Sequence, residues 1–182
     1  MRLIQVLLWL ALCLSGSLAA APADILVRAK TIVTMDAARR VIEDGAIAIP
    51  GSRILAVGPR AELEAEYQAQ RTLDYPTGIL IPGLLNGHTH APMSLFRGLA
   101  DDRTLDDWLK NFIFPAEARN VSPQFVYWGT RLAAAEMLLS GTTLFVDMYY
   151  FEEEVARAAA DAGIRTVAGQ TILQFPVPDA KT

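Results

Sequence analysis

The hydrophobic rhythm of the chain changes along its length. Leu3 to Leu14 is an almost unbroken apolar run. From Ala23 to about Leu80 the apolar residues come in short, alternating, β-branched groups: Ile25-Leu26-Val27, Thr31-Ile32-Val33-Thr34, Ala46-Ile47-Ala48-Ile49 and Ile54-Leu55-Ala56-Val57. Alternation places successive side chains on opposite faces of an extended chain, so these groups predict short strands. Pro50-Gly51-Ser52-Arg53 between the last two predicts a hairpin, because Pro presets φ and Gly accepts a positive φ. Gly58-Pro59 ends the second of those strands, and residues 60–70 predict a short helix.

After Thr77-Gly78 the texture changes. Ile79-Leu80-Ile81-Pro82-Gly83-Leu84-Leu85-Asn86 is continuously apolar, as in a strand buried on both faces. A long polar and aromatic segment follows, from Ala91 to Val121. Ser122-Pro123 then opens a helix: Ser is a good N-cap and Pro fits the first helical position. Phe125, Trp128, Leu132, Ala135 and Leu139 recur at helical spacing, and Gly141 is a natural C-cap. Thr142–Met148 reads as a second apolar strand. Glu152, Glu153 and Glu154 fill the first turn of the next helix as solvated acids matched to its dipole. That helix ends at Gly163, and Ile164–Leu173 is a third strand. Strand, helix, strand, helix, strand predicts right-handed βαβ units in a parallel sheet.

Composition narrows the classes. The chain is 52% hydrophobic and 20% charged, so it can bury a core. Its net charge of −4 comes with no basic stripe, which argues against nucleic acid as a partner and against a polybasic membrane patch. Residues 1–23 read as a signal peptide: Arg2 is the n-region, Leu3–Leu14 the h-region, and Ser15-Gly16-Ser17-Leu18-Ala19 supplies small residues for cleavage. Ser17-x-Ala19 is the favoured site, with Ala20 to Ala23 as alternatives. A membrane anchor is the competing reading, but the apolar run is shorter than the ~20 residues of a spanning helix. A lipoprotein signal at Cys13 is disfavoured by the large Leu12 before it. Cys13 is the only cysteine, so a periplasmic or secreted mature chain would hold no disulfide.

The chemistry is concentrated at His88-Thr89-His90, which contains both histidines of the chain. Residues i and i+2 of a strand share a face, so both imidazoles project together from the C-terminal end of a strand. In a parallel α/β barrel that end carries catalysis, and paired neutral imidazoles suit a borderline metal such as Zn²⁺. Packing or solubility is the plain alternative for a histidine pair.

Pro82-Gly83-Leu84-Leu85-Asn86-Gly87-His88-Thr89-His90 resembles the first-strand signature of the amidohydrolase superfamily. Met93 to Asp102, Asp107-Trp108-Leu109, Pro115-Ala116-Glu117, Tyr127-Trp128-Gly129-Thr130 and Gly141 to Tyr149 are similar to its S-adenosylhomocysteine/5′-methylthioadenosine deaminase group, which shares much of this pattern with the triazine chlorohydrolases. The resemblance covers nearly all of residues 24–175. It implies an α/β fold: a β-rich segment at 24–79, part of a small composite sandwich, then the first three βα units of a metal-dependent-hydrolase TIM barrel at 80–182. A whole barrel takes ~250 residues, so the expectation is an incomplete one.

The resemblance also implies one divalent metal, zinc before iron or manganese, with His88 and His90 as two of its ligands. The third histidine, the aspartate ligand and the proton-moving glutamate of the family are expected outside these residues, so no catalytic residue is assigned here. Glu117 matches a position that holds substrate ribose hydroxyls; a solvated loop acid is the alternative. Trp108 matches a residue lining the nucleoside pocket; core packing is the alternative. Asp147, ending the second barrel strand, is read as structural, and Arg97 as pairing with Asp101 or Asp102. The implied activity is hydrolysis of a non-peptide carbon–nitrogen bond in a small molecule, foremost deamination of an adenosine-like substrate. The alternatives are a chlorohydrolase or other cyclic-amidine hydrolase, or a truncated copy without activity. This chain by itself is expected to be inactive, without a stable membrane anchor, and a homo-oligomer remains open for a full-length form.

Overall fold

The computed structural model describes residues 20–180. The expected signal lies outside the described residues through residue 19. The described residues divide into two compact units, with the boundary between Pro82 and Gly83.

The first unit is a four-stranded sheet in the order β3-β2-β1-β4. Strands β1 (Ala21–Val33) and β2 (Val41–Ile49) pair antiparallel through Ile25↔Ile49, Val27↔Ile47 and Ile32↔Ile42. The expected hairpin forms between β2 and β3 (Ala56–Pro59), closed by Arg53 N–H donating to the Pro50 carbonyl at 3.3 Å. It pairs later than the sequence suggested, because Ile54 and Leu55 are exposed and belong to the connecting loop. The helix after Pro59 is Arg60–Glu66, ending short of residue 70. Tyr67–Leu80 is instead β4, parallel to β1. Its polar content and Pro76 suit an edge strand, where a missing N–H costs no ladder bond. Ala23, Leu26, Ala46, Ala48 and Leu63 form the core. This unit holds one sheet among the described residues, where the sequence led to the expectation of part of a composite sandwich. The 23/24 boundary falls inside β1, where Ala23 is buried and pairs with Ala69.

The second unit is a mixed α/β unit around a parallel sheet in the order β5-β6-β7, formed by Leu84–Thr89, Thr142–Tyr149 and Arg165–Gln170. Ile79–Asn86 is not one buried strand. It breaks at Ile81-Pro82-Gly83, and Ile79 and Leu85 are each 69% exposed. Pro82 has no N–H for a ladder bond, which separates β4 from β5. No described residue covers the exposed faces of these apolar side chains.

The Pro123–Leu139 helix starts as expected, with Ser122 Oγ accepting from the Phe125 N–H at 3.2 Å, and Gly141 follows it at φ +87°. The Glu152–Ala162 helix precedes β7. Val126, Phe145 and Val155 are fully buried between these helices and β6, each contributing about 1.5–3 kcal/mol of apolar burial. The segment after β5, without assigned structure in the sequence reading, is helical in pieces: a 3₁₀ turn at Ala91–Phe96, then Leu105–Asp107, a π-wound turn at Trp108–Ile113, and Phe114–Asn120. A Cβ on Gly129 would lie 2.5 Å from the Pro92 carbonyl oxygen, so glycine lets the turn following His90 lie against the Pro123–Leu139 helix.

Candidate metal and substrate site

β5 ends at Thr89, and the rings of His88 and His90 stand 5.0 Å apart at that strand end, edge to face. His88 is exposed and His90 half-buried. His90 Nδ1 lies 2.5 Å from the Met148 carbonyl oxygen. Nδ1–H donating to that carbonyl fixes the tautomer and leaves the Nε2 lone pair free for a ligand. Two such imidazoles match the nitrogen chemistry of a zinc-type ion. Among the described residues, no group of three or more His, Cys, Asp or Glu side chains is placed to hold a metal.

His90, Trp108 and Glu117 line one cleft of 360 Å³, together with Met148, Tyr149 and Phe175. Trp108 opens the π-wound turn, a rare geometry that recurs at functional sites. Glu117 is 5% exposed, not a solvated loop acid. Tyr149 Oη donates to its Oε1 at 2.8 Å and Tyr150 Oη to its Oε2 at 3.4 Å. Burial raises the Glu117 pKa, while the two tyrosines and the nearby His90 pull the other way. Burial and the adjacent carboxylate push Tyr149 well above its ordinary range and Tyr150 up to about 12, so both remain hydroxyl donors. His88 does not line this cleft. Tyr149 and Tyr150 had no role in the sequence reading. Their signal was position, since they lie at the C-terminal end of a parallel strand.

Asp147 is 1% exposed and ties the histidine segment to β6. Its Oδ1 accepts from Thr89 Oγ1 at 2.5 Å and from the Ala91 N–H at 2.6 Å. Two expectations are corrected nearby. Arg97 pairs with Glu136, not Asp101 or Asp102, through two hydrogen bonds of 3.0 and 2.7 Å. Glu152 is not solvated: it is 5% exposed, because the helix starts against β6.

The amidohydrolase family model matches residues 79–182, from the end of β4 through the histidine strand and the cleft. The chain belongs to the amidohydrolase family. Among curated amidohydrolases, the 5-methylthioadenosine/S-adenosylhomocysteine deaminase 1 of Syntrophus aciditrophicus is 52% identical over 159 residues, 87% of this chain and 36% of that protein. The corresponding deaminase of Syntrophobacter fumaroxidans is 51% identical over 86% of this chain and 35% of its own length. The chain thus spans roughly a third of these relatives. Among solved structures, a zinc-bound adenosine deaminase from Xanthomonas campestris superposes with a TM-score of 0.87 at 40% identity, over 90% of this chain and 37% of that one. A zinc-bound atrazine chlorohydrolase from Arthrobacter aurescens gives 0.73 at 27% identity, over 83% and 36%. No helix among the described residues is long and apolar enough to cross a membrane.

Proposed function

We propose that this chain provides the histidine pair and the nucleoside cleft of a metal-dependent hydrolase that deaminates an adenosine-like substrate. The observation carrying this reading is the convergence of His90, Trp108 and Glu117 on one cleft beside the His88–His90 pair. The deaminase names of the relatives at about half identity support it. In this reading β5, β6 and β7 are the first three strands of a (β/α)₈ barrel, and the β1–β4 sheet belongs to a composite sandwich.

His88 and His90 would hold one divalent ion, zinc before iron or manganese. What such an ion supplies when bound is a hydroxide nucleophile near neutral pH, by acidifying water. The chain's own residues do the rest of the binding. The Met148 carbonyl holds His90 in the tautomer that presents Nε2. Trp108 and its apolar neighbours exclude water from a purine ring. Glu117, aligned by Tyr149 and Tyr150, accepts hydrogen bonds from adjacent ribose hydroxyls. No residue here is assigned the proton transfer to ammonia. On their own, these residues would turn nothing over, because two imidazoles fall short of the three protein ligands of a catalytic site. Export to the periplasm or beyond, a small-molecule substrate, the lack of a stable membrane anchor and a homo-oligomer of a full-length form complete the reading.

A chlorohydrolase is the second reading, favoured by the likeness to the atrazine enzyme. A buried carboxylate poised by two tyrosines argues for a hydroxylated substrate instead. The test is a zinc-loaded chimera in which this chain replaces the matched segment of the Syntrophus aciditrophicus deaminase. Ammonia release from 5′-methylthioadenosine or adenosine, abolished by His88→Ala or His90→Ala, is the expected result. Faster turnover of a chlorotriazine would favour the second reading. A folded chimera inert on nucleosides would contradict the first.

A further inference from the structure

Tyr149 and Tyr150 are consecutive, yet both hydroxyls meet the one carboxylate of Glu117. Neighbouring side chains of an extended chain point to opposite faces. The chain therefore has to leave strand geometry as soon as Tyr149 is placed. β6 ends at Tyr149, and Phe151 lies in the left-handed region at φ 52° and ψ 49°. A bulky residue rarely adopts that region, and it persists where the surroundings impose it. Phe151 also stands at the start of the Glu152–Ala162 helix with no side-chain cap of its own.

Asp179 holds this turn. Its Oδ2 accepts from the Phe151 N–H at 2.9 Å and from Gln170 Nε2 at 2.6 Å. Gln170 ends β7, and its Oε1 accepts the next amide of the turn, the Glu152 N–H, at 3.3 Å. The Thr171 N–H donates to the Tyr149 carbonyl at 3.0 Å, which ties the start of the same segment beside the tyrosines. The plain role of an aspartate in a turn is to bond its own local backbone. Here the turn around Asp179 is closed without it, by bonds of 2.9 and 3.2 Å between Val177 and Ala180. Its carboxylate instead reaches a residue 28 positions earlier in the chain. A charged acceptor makes those bonds stronger than neutral ones. The segment between Thr171 and Asp179 also brings Leu173 and Phe175 to the cleft, with the Phe175 ring 5.8 Å from that of Phe114.

We propose that Asp179 is a positioning residue for the cleft: by holding Phe151 left-handed, it turns the Tyr150 hydroxyl onto Glu117 beside that of Tyr149. Asp179 itself touches no substrate. Its effect on ribose binding rests on the nucleoside reading of Glu117, whereas its effect on Tyr150 does not. Tyr149 is fixed separately, by the pairing of β6 with β7. Asp179→Ala therefore releases Tyr150 and leaves Tyr149 on Glu117. Asp179→Asn keeps a side-chain oxygen for the Phe151 N–H.

The test begins with NMR of the chain, labelled with ¹³C at the tyrosine Cζ atoms and with ¹⁵N on the backbone. In Asp179→Ala the Phe151 amide exchanges faster with solvent and the Tyr150 Cζ resonance moves, while that of Tyr149 stays. Asp179→Asn restores both towards the wild type. In the zinc-loaded chimera, Asp179→Ala raises KM for adenosine about two- to tenfold at unchanged kcat, and that loss disappears in a Tyr150→Phe background. A Tyr150 Cζ unmoved by Asp179→Ala would overturn the proposal. So would an adenosine loss of the same size with and without the Tyr150 hydroxyl, or adenosine weakened by Tyr149→Phe but not by Asp179→Ala. If Tyr150 moves as expected while neither Tyr149→Phe nor Asp179→Ala affects adenosine, the positioning by Asp179 is upheld and the ribose reading of Glu117 falls.

Discussion

Tyr149 Oη donates to Glu117 Oε1 across 2.8 Å, joining residues far apart in sequence within a buried cleft. The bond orients a carboxylate that burial alone would leave free to protonate or turn away. A hydrogen bond to a charged group contributes about 1.5–3 kcal/mol. Tyr149→Phe therefore weakens adenosine binding by about tenfold or more, while adenine, which lacks the ribose, is held as before. Calorimetric titration with both ligands checks this. Equal losses for the two would mean that Glu117 does not touch the sugar.

The same carboxylate sets a pH dependence. Burial raises the Glu117 pKa, so it takes up a proton at a higher pH than an ordinary glutamate. Adenosine affinity then falls on acidification before an exposed glutamate would titrate, and recovers above that point. Adenine affinity lacks this limb. Glu117→Gln removes it from the adenosine profile as well, which separates Glu117 from every other titrating group.

Gly129 lets the turn after His90 approach the Pro123–Leu139 helix, with no room for a methyl group beside Pro92. Gly129→Ala overpacks that contact and costs about 1–3 kcal/mol of stability, despite the higher helix propensity of alanine. Chemical denaturation measures the loss. An unchanged or raised midpoint would show that the turn moves aside freely.

The legible parts of the sequence were local. Proline and glycine marked the β2–β3 turn, Ser122-Pro123 marked a helix start, and the spacing of His88 and His90 put both rings on one strand end. β4 was missed because Gln68, Gln70, Arg71 and Asp74 dilute its apolar content, and Pro76 argues against a strand. The partners of Glu117 and Arg97 are distant in sequence, so periodicity carries no trace of them. Glu152 was read as solvated because a run of three acids at a helix start normally is. Its burial depends on how that helix lies against β6.

The start of β1 bears on the proposed export. Ala21, Pro22 and Ala23 pair with Tyr67, Gln68 and Ala69, and Ala23 is buried. Cleavage after Ala19 keeps that ladder whole, whereas cleavage after Ala23 removes it. N-terminal sequencing of exported protein should therefore begin at Ala20. A mature protein starting at Asp24 would contradict this, and one retaining Met1 would remove the export reading altogether.

The central claim is that His90, Trp108 and Glu117 form a nucleoside cleft beside a metal-binding histidine pair. The most direct measurement is Trp108 fluorescence in the zinc-loaded chimera, titrated with adenosine and with adenine, for the wild type, Glu117→Gln and Trp108→Phe. The account predicts a saturable adenosine response that vanishes in Trp108→Phe. In Glu117→Gln it shifts to at least tenfold higher adenosine concentration, with the adenine response unmoved. Equal responses to the two ligands in the wild type, or an adenosine response indifferent to Glu117, would contradict it.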